Sequence, residues 1–365
     1  MYCDRCGVQN RDGATFCRSC GAVLGPAEDV VETRELPGPP KVPDALRAAV
    51  AGRYEIERLL GRGGMGEVYL AREVMLDRLV AIKVLERDAR REESVVKRFV
   101  QEARIAAKLR HPGIVAIHDI GSSGEIHYFT MDYVPGPTLD DLVSREGPLP
   151  AERARAILAS VAAAVQHAHR AGVIHRDLKP ANVLVDLDGH VFVSDFGLAK
   201  NVDGQGITTS GIIVGTPQYL SPERLEGRPA TPASDVYALG LLYAFLLTGH
   251  HVVTGDSLSS IVGQHMSGTP RSRVQADPAL PEPARSLIVA MLDRDPAHRP
   301  TSLDDVLARL GSGAPASLST ERILAAPSPA PDSAPAPPPP LSPVRREARA
   351  RLQNLLDRMP KKPRS

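Results

Sequence analysis

The sequence predicts an α+β chain in which a small cysteine-rich head precedes one larger domain of two lobes. Three observations carry this. All four cysteines of the 365-residue chain fall within its first twenty residues. Two proline clusters, "LPGPPKVP" before Tyr54 and "AAPSPAPDSAPAPPPPLSP" after Leu310, are extended stretches unable to build a core, and they isolate a central block. That block opens with strand-like alternation and carries a long apolar helical run further on. The expected organisation is a head at 1–26, a proline-containing linker at 27–53, a domain at 54–310, a Pro/Ala-rich linker at 311–343 and a basic segment at 344–365.

Composition narrows the class. Hydrophobic residues make up 42% and charged residues 24%, the balance of a globular protein. A net charge of +1 predicts no global attraction to nucleic acid or to a membrane. The longest apolar run, "VYALGLLYAFLLTG" from Val236, is too short to span a bilayer and follows directly on Asp235, so a buried core helix is expected. The chain is therefore expected to have no transmembrane segment and to be cytoplasmic.

In the head, Cys3-x-x-Cys6 and Cys17-x-x-Cys20 each set two thiolates at one sharp turn, and Gly7 and Gly21 follow them. Two facing turns put four sulfurs at the corners of a tetrahedron, which suits Zn²⁺ in a closed structural site. Two disulfides are the rival. They need an oxidising compartment, and no signal-peptide pattern precedes the cysteines. No ligand position is left for water, so the expected metal is structural. The stretch resembles the short zinc-ribbon heads of many bacterial proteins. Too small for a hydrophobic core, it would draw its folding energy from the metal.

The central block begins "YEIERLLGRGGMGEVYLAR". Tyr54, Ile56 and Leu59 suggest a strand. Gly61, Gly63, Gly64 and Gly66 follow, and "EVYLARE" continues as a second strand. A dinucleotide fold would run strand, glycine loop, helix. Here the glycines sit at a hairpin tip, where backbone N–H groups can cover phosphates without side-chain obstruction. The strand "LVAIKVL" carries Lys83 between Ile82 and Val84, so its ammonium needs a partner. A helix is expected around 94–109, and Glu102 near its middle is the candidate partner.

"VIHRDLKPANVLV" comes next, and "DFG" begins thirteen residues after Asn182. With GRGGMGEV, AIK, Glu102, HRDLKPAN, DFG, GTPQYLSPE, DVYALG and HRP in this order, the block resembles the eukaryotic-type (Hanks-type) Ser/Thr protein kinases of bacteria over essentially its whole length. The resemblance implies a two-lobed kinase fold with a small β-rich N-lobe and a helical C-lobe. It implies ATP and Mg²⁺ as cofactors and Ser/Thr-bearing proteins as substrates. Lys83 would contact the α- and β-phosphates, oriented by Glu102. Asn182 and Asp195 would hold Mg²⁺. Asp177 would accept the hydroxyl proton, and Lys179 would neutralise the γ-phosphate. Lys179 and Thr216 mark Ser/Thr over Tyr specificity. Leu60, Val68, Ala81 and Leu184 would sandwich adenine, with Met131 as gatekeeper and the backbone of Asp132 and Val134 bonding the ring. Glu223 and Arg299 resemble a buried ion pair, and Asp235 an anchor for the catalytic-loop backbone. Taken one at a time, the apolar residues would read as plain core. Two departures, Ser221 in Ser-Pro-Glu and Gly113 in "HPGIV", touch no phosphate or metal position.

Between DFG and SPE, the three adjacent hydroxyls Thr208, Thr209 and Ser210 read either as a polar loop tip or as autophosphorylation sites, whose phosphate would pair with Arg176. The segment from Arg345 carries eight Lys/Arg against two acids, with apolar residues at helical spacing. It reads equally as a solvated helix end or as a helix docking on a partner, an anionic surface or the domain itself. Head, linkers and tail are candidate docking elements, and self-association is open. Three rival functions stand against this reading. A scaffold without phosphotransfer is disfavoured because Lys83, Glu102, Asp177, Asn182 and Asp195 all stand. Nucleic-acid binding by the head is disfavoured because Asp4 and Asp12 offset its arginines. A small-molecule phosphotransferase is disfavoured by "GTPQYLSPE", a polypeptide platform in the family.

Overall fold

A computed structural model describes residues 43–63, 66–85, 93–196, 217–255 and 257–311. The four cysteines, Gly64, Thr208, Thr209, Ser210, Thr216, the 311–343 linker beyond its first residue and the basic 344–365 segment lie outside the described residues.

The first lobe is a five-stranded antiparallel sheet in the order β1-β2-β3-β5-β4. Its strands are β1 Tyr54–Gly63, β2 Gly66–Glu73, β3 Arg78–Leu85, β4 Ile117–Ser123 and β5 Ile126–Asp132. The period of two along each strand divides its residues between two faces. Val80, Ile82 and Val84 of β3 join Tyr69, Ala71, Ile126 and Tyr128 in one apolar cluster. Leu85 and Phe129 point the other way, to Phe99 and Ala103 of helix α2, Glu93–Ala106. The Phe99 and Phe129 rings lie 5.1 Å apart in a tilted arrangement.

The first cluster is closed by an element that the sequence reading placed in a linker. Helix α1, Asp44–Ala49, buries Leu46, and Val50 just beyond it is equally buried. Both belong to the cluster on the sheet. Residues 44–50, within the 27–53 stretch expected as a linker, thus pack on the sheet of the first lobe. A six-residue helix without a side-chain cap has too short a period to be read from sequence, and its formation depends on the sheet face it covers.

The second lobe is helical around α4 (Ala151–Arg170) and α6 (Pro232–Thr248), with α3 (Leu139–Glu146), α5 (Pro222–Leu225), α7 (Leu258–Ser267), α8 (Thr269–Ala276), α9 (Ala284–Met291) and α10 (Leu303–Leu310) about them. Helix α6 is buried on every side from Ser234 to Leu246, as its uniform apolarity requires. It starts on a Thr231–Ser234 capping box with Pro232 in the first turn and ends at Gly249, φ 78°. Alanines 154, 162, 164 and 168 let α4 lie close to its neighbours in the same core. No described helix is long and apolar enough to cross a membrane. A two-stranded antiparallel sheet pairs β6 Val183–Val185 with β7 Val191–Val193. It meets the connection from β5 through a bridge between Thr138 and Leu184. Gly136 in that connection permits the approach, because a Cβ there would fall 1.9 Å from the Val185 carbonyl oxygen.

Candidate active site

Strand register assembles the roof of the site. Directly opposed residues in an antiparallel pair share a face. Val68 opposes Lys83, Leu70 opposes Ala81, and Ala81 opposes Met131. Val68, Ala81, Lys83 and Met131 are thus on one face, away from the Ile82 and Val84 cluster. The register shift between Leu59 and Gly61 places Leu60 where β1 bulges. The hairpin closes at Gly63 opposite Gly66, and Gly66 is obligatory: its φ is 152° and a Cβ would lie 1.9 Å from the Val84 carbonyl oxygen. At the connection, the Asp132 N–H donates to the Ala116 carbonyl (2.9 Å). Its carboxylate takes His118 Nε2 at 2.7 Å and the Ala116 N–H at 3.3 Å. Of Asp132's backbone groups, the carbonyl is therefore the one suited to an adenine amino group. Val134 is buried two residues on.

The floor comes from the loop before β6. Asn182 Nδ2 donates to the Asp177 carbonyl (2.7 Å) and to Asp177 Oδ2 (3.2 Å). Lys179 Nζ lies 2.9 Å from the same Oδ2. The short turn Pro180–Asn182 brings these three side chains together. Ser194, next to Asp195, donates its N–H to the Asn182 carbonyl at 2.9 Å and so ties the two segments. His175 Nε2 donates to the Ser194 carbonyl (3.0 Å), which leaves Nδ1 as acceptor for the Asp177 N–H (3.3 Å). The neutral Nε2–H tautomer satisfies both bonds.

Roof and floor meet at Lys83 and Asp195, Nζ to Oδ1 2.7 Å, in a pair with little exposure on the lysine side. Lys83 is only 8% exposed, so the ammonium requires such a partner. Glu102 lies on α2, but its side chain is outside the described set, so the expected Lys83–Glu102 pairing is too. Asp195 (φ 61°) and Arg176 (φ 70°) occupy the left-handed region, which non-glycine residues adopt only where surrounding bonds over-determine them.

Those bonds around Arg176 come from Asp235. Its carboxylate accepts the N–H groups of His175 (2.9 Å) and Arg176 (3.0 Å), and His169 Nε2 lies 2.7 Å away. Below, Arg299 grips Glu223 through both nitrogens, at 2.9 and 2.8 Å, and Ser234 donates to Glu223 at 2.7 Å. Burial alone would raise the Glu223 carboxyl; Arg299 and Ser234 outweigh it and hold the pKa below its ordinary value.

Several contributors were not singled out from the sequence: His118, His169, Ser194 and, beside the turn Pro217–Tyr219, His251 and Asp140. Tyr219 Oη lies 2.9 Å from His251 Nδ1. Burial pushes Asp140 up and His251 down; Lys179 and His251 draw Asp140 back toward its charged form. The "HRD" and "AHR" strings were visible, but that two histidines and a serine serve one carboxylate or one carbonyl is a matter of tertiary contact.

A family model described as the protein kinase domain matches residues 54–309, and one described as a zinc-ribbon domain matches residues 2–24. Among curated relatives, the serine/threonine-protein kinase PrkC of Bacillus subtilis is 39% identical over 257 residues, 70% of this chain and 40% of that protein. Serine/threonine-protein kinase PknB of Mycobacterium leprae is 39% identical over 274 residues, 73% of this chain and 44% of the relative. Serine/threonine-protein kinase PknA of Mycobacterium tuberculosis is 39% identical over 255 residues, 68% and 58%. The chain spans only about half the length of these relatives, and what it shares with each is one domain. With that match running from the first strand to the last helix, this chain belongs to the protein kinase family.

Proposed function

We propose that the chain is a serine/threonine protein kinase that transfers the γ-phosphate of Mg·ATP to protein hydroxyls. The observation that carries this is the convergence of Lys83, Asp195, Asp177, Asn182 and Lys179 from two lobes on one cleft, with Lys83 and Asp195 in contact at 2.7 Å. The serine/threonine-protein kinase relatives support it. Adenine would rest between Leu60, Val68 and Ala81 above and Leu184 below. Met131 would stand behind it, and the Asp132 carbonyl and Val134 N–H would face its edge. The N–H groups of Gly61, Gly63, Gly64 and Gly66 would cover the phosphates, and Lys83, oriented by Glu102, would meet the α- and β-phosphates.

The donor set fits Mg²⁺. Asn182 spends its amide nitrogen on Asp177, which leaves the side-chain oxygen as its remaining polar atom, and Asp195 supplies a carboxylate; both are hard oxygen ligands. Asn182 and Asp195 would hold the cation, whose chemistry there would be to offset negative charge on the phosphates. Asp177, held by Asn182 and Lys179, accepts the proton of the substrate hydroxyl. The hydroxyl oxygen forms its bond to the γ-phosphorus while the bond to the β,γ-bridging oxygen breaks and ADP departs. Lys179 balances charge on the transferred group.

The same reading assigns Thr208, Thr209 and Ser210 as autophosphorylation sites. It assigns Cys3, Cys6, Cys17 and Cys20 as ligands of one structural Zn²⁺, a four-thiolate set whose chemistry suits that ion. The head, the proline-rich linkers and the basic 344–365 segment serve as docking elements. The test is phosphate transfer from Mg·ATP by the full-length chain, with sites mapped by mass spectrometry and Asp177→Asn as control. Incorporation that vanishes in the control supports the reading. A folded, ATP-binding chain that incorporates nothing and phosphorylates no added protein overturns it.

A further inference from the structure

Strand β4, "IHDIGSS", carries two isoleucines three residues apart, Ile117 and Ile120, a spacing that a regular strand sends to opposite faces. Both nevertheless pack on the cluster of Phe99 and Phe129. The register shows how. Ile117 opposes Met131 and Ile120 opposes Phe129, but Asp119 already opposes Thr130, so His118 is one residue more than β5 can match. Such a bulge leaves the extra residue unpaired in the ladder and re-aims its side chain. Here the imidazole is turned to the last residue of β5, with Nε2 2.7 Å from Asp132 Oδ1. A carboxylate only accepts, so Nε2 donates.

Asp132 is thereby tied to the segment 116–118 from three of its atoms. Its N–H donates to the Ala116 carbonyl (2.9 Å), its Oδ2 accepts the Ala116 N–H (3.3 Å), and its Oδ1 accepts from His118. The histidine pair alone adds little stability, because the imidazole is 24% exposed and the carboxylate 45%. Its effect is on orientation. With N–H and side chain both anchored, the backbone of residue 132 is held in one setting, and with it the carbonyl suited to an adenine amino group. We propose that His118 is a positioning residue for base recognition: delivered by the β4 bulge, it locks Asp132 so that the carbonyl of that residue meets the 6-amino group of adenine. This rests on the protein kinase reading. It adds that the preference for a 6-aminopurine is set from β4, by a side chain acting through another residue.

The test measures dissociation constants of Mg·ATP and of Mg·purine riboside 5′-triphosphate by calorimetric titration of the full chain. The second nucleotide has hydrogen in place of the 6-amino group and is otherwise identical. In His118→Ala, the constant for ATP rises about threefold to tenfold, the size of one hydrogen bond, while that for the analogue stays within about twofold. His118→Gln, whose amide nitrogen can take the place of Nε2, keeps the wild-type constant for ATP within about twofold. Asp132→Ala loses the same discrimination, and adding His118→Ala to it changes nothing further, since the two residues act as one unit. A merely structural role weakens both nucleotides alike, and that result overturns the proposal. So does an ATP constant unchanged in His118→Ala, or a wild-type chain that binds the two nucleotides equally. A wild-type chain that binds neither is a different failure, that of the kinase reading itself, and removes the ground of this one.

Discussion

Lys83 Nζ contacts Asp195 Oδ1 at 2.7 Å, joining strand β3 of one lobe to the segment after β7 of the other. The two residues are 112 positions apart in sequence. Because an ammonium this buried must be compensated, the contact ties the placement of the DFG aspartate to the sheet. Asp195→Asn removes the charge and retains the shape. It is expected to lower phosphate transfer by about 10²–10³-fold or more while leaving the fold intact, as circular dichroism would report. Lys83→Met, which deletes the other partner, is expected to do the same.

Asp235 holds Arg176 in its left-handed conformation through two backbone N–H groups. Asp235→Asn keeps the size but turns one of its two acceptor oxygens into a donor. Expected is a loss of kcat of about tenfold or more with KM for ATP little changed, since the catalytic loop and not the adenine cleft loses its anchor. Steady-state kinetics at saturating acceptor would check this.

Removing one partner of the Glu223–Arg299 pair leaves the other charge buried without compensation. Arg299→Met is expected to cost about 3–5 kcal/mol of stability, read from urea unfolding of the isolated variant. The pair also implies acid sensitivity. Glu223 is held below its ordinary pKa, so the unfolded chain binds its proton first, and the stabilisation is lost as pH falls through the carboxylate range.

His265 adds a second and earlier acid term. Its pKa falls from 6.5 to about 4 in the folded chain. Between those values the unfolded state binds a proton that the folded state refuses, so stability declines as pH drops from about 6.5 toward 4. A displacement of this size is worth on the order of 3 kcal/mol. Melting temperatures at pH 7.5 and pH 5 should therefore diverge more in the wild type than in His265→Gln, which has no group to protonate.

Leu46 lies on a helix that covers the sheet from outside the expected domain. Leu46→Ala is expected to destabilise the first lobe by about 2–4 kcal/mol, and deletion of residues 1–50 to do at least as much. A truncation that begins at residue 43 would keep the wild-type melting temperature of the domain. Equal stability of domains beginning at 43 and at 51 would refute the assignment of α1.

Much of the site was legible because its chemistry is local in sequence. The turn of HRDLKPAN brings Asp177, Lys179 and Asn182 together within six residues, and period-two alternation in "LVAIKVL" already separates Lys83 from Ile82 and Val84. The glycines where β1 meets β2 could be placed at the end of a hairpin because both flanks read as strand. The uniformly apolar run at Val236 could be assigned to the core because no polar face remained to meet water. What the sequence by itself determined, then, are the elements whose side-chain period or turn chemistry is contained within one short segment.

Contacts between distant segments were decided by the tertiary structure alone. That Lys83 meets Asp195, 112 positions further along the chain, is a contact that no spacing announces. Helix α1 has no capping signal and too few residues to show a period; it exists because Leu46 and Val50 find a sheet face to cover. His169 and His175 look alike in sequence, but one meets the Asp235 carboxylate and the other bridges Ser194 and Asp177. His265 carries no pattern at all, and its bond to Tyr237 is set by the packing of α7 on α6. The physical reason is common to all four. A buried polar or apolar group must be matched by whatever the folded chain brings to it, and that match is fixed by three-dimensional proximity, which spacing along the chain does not encode.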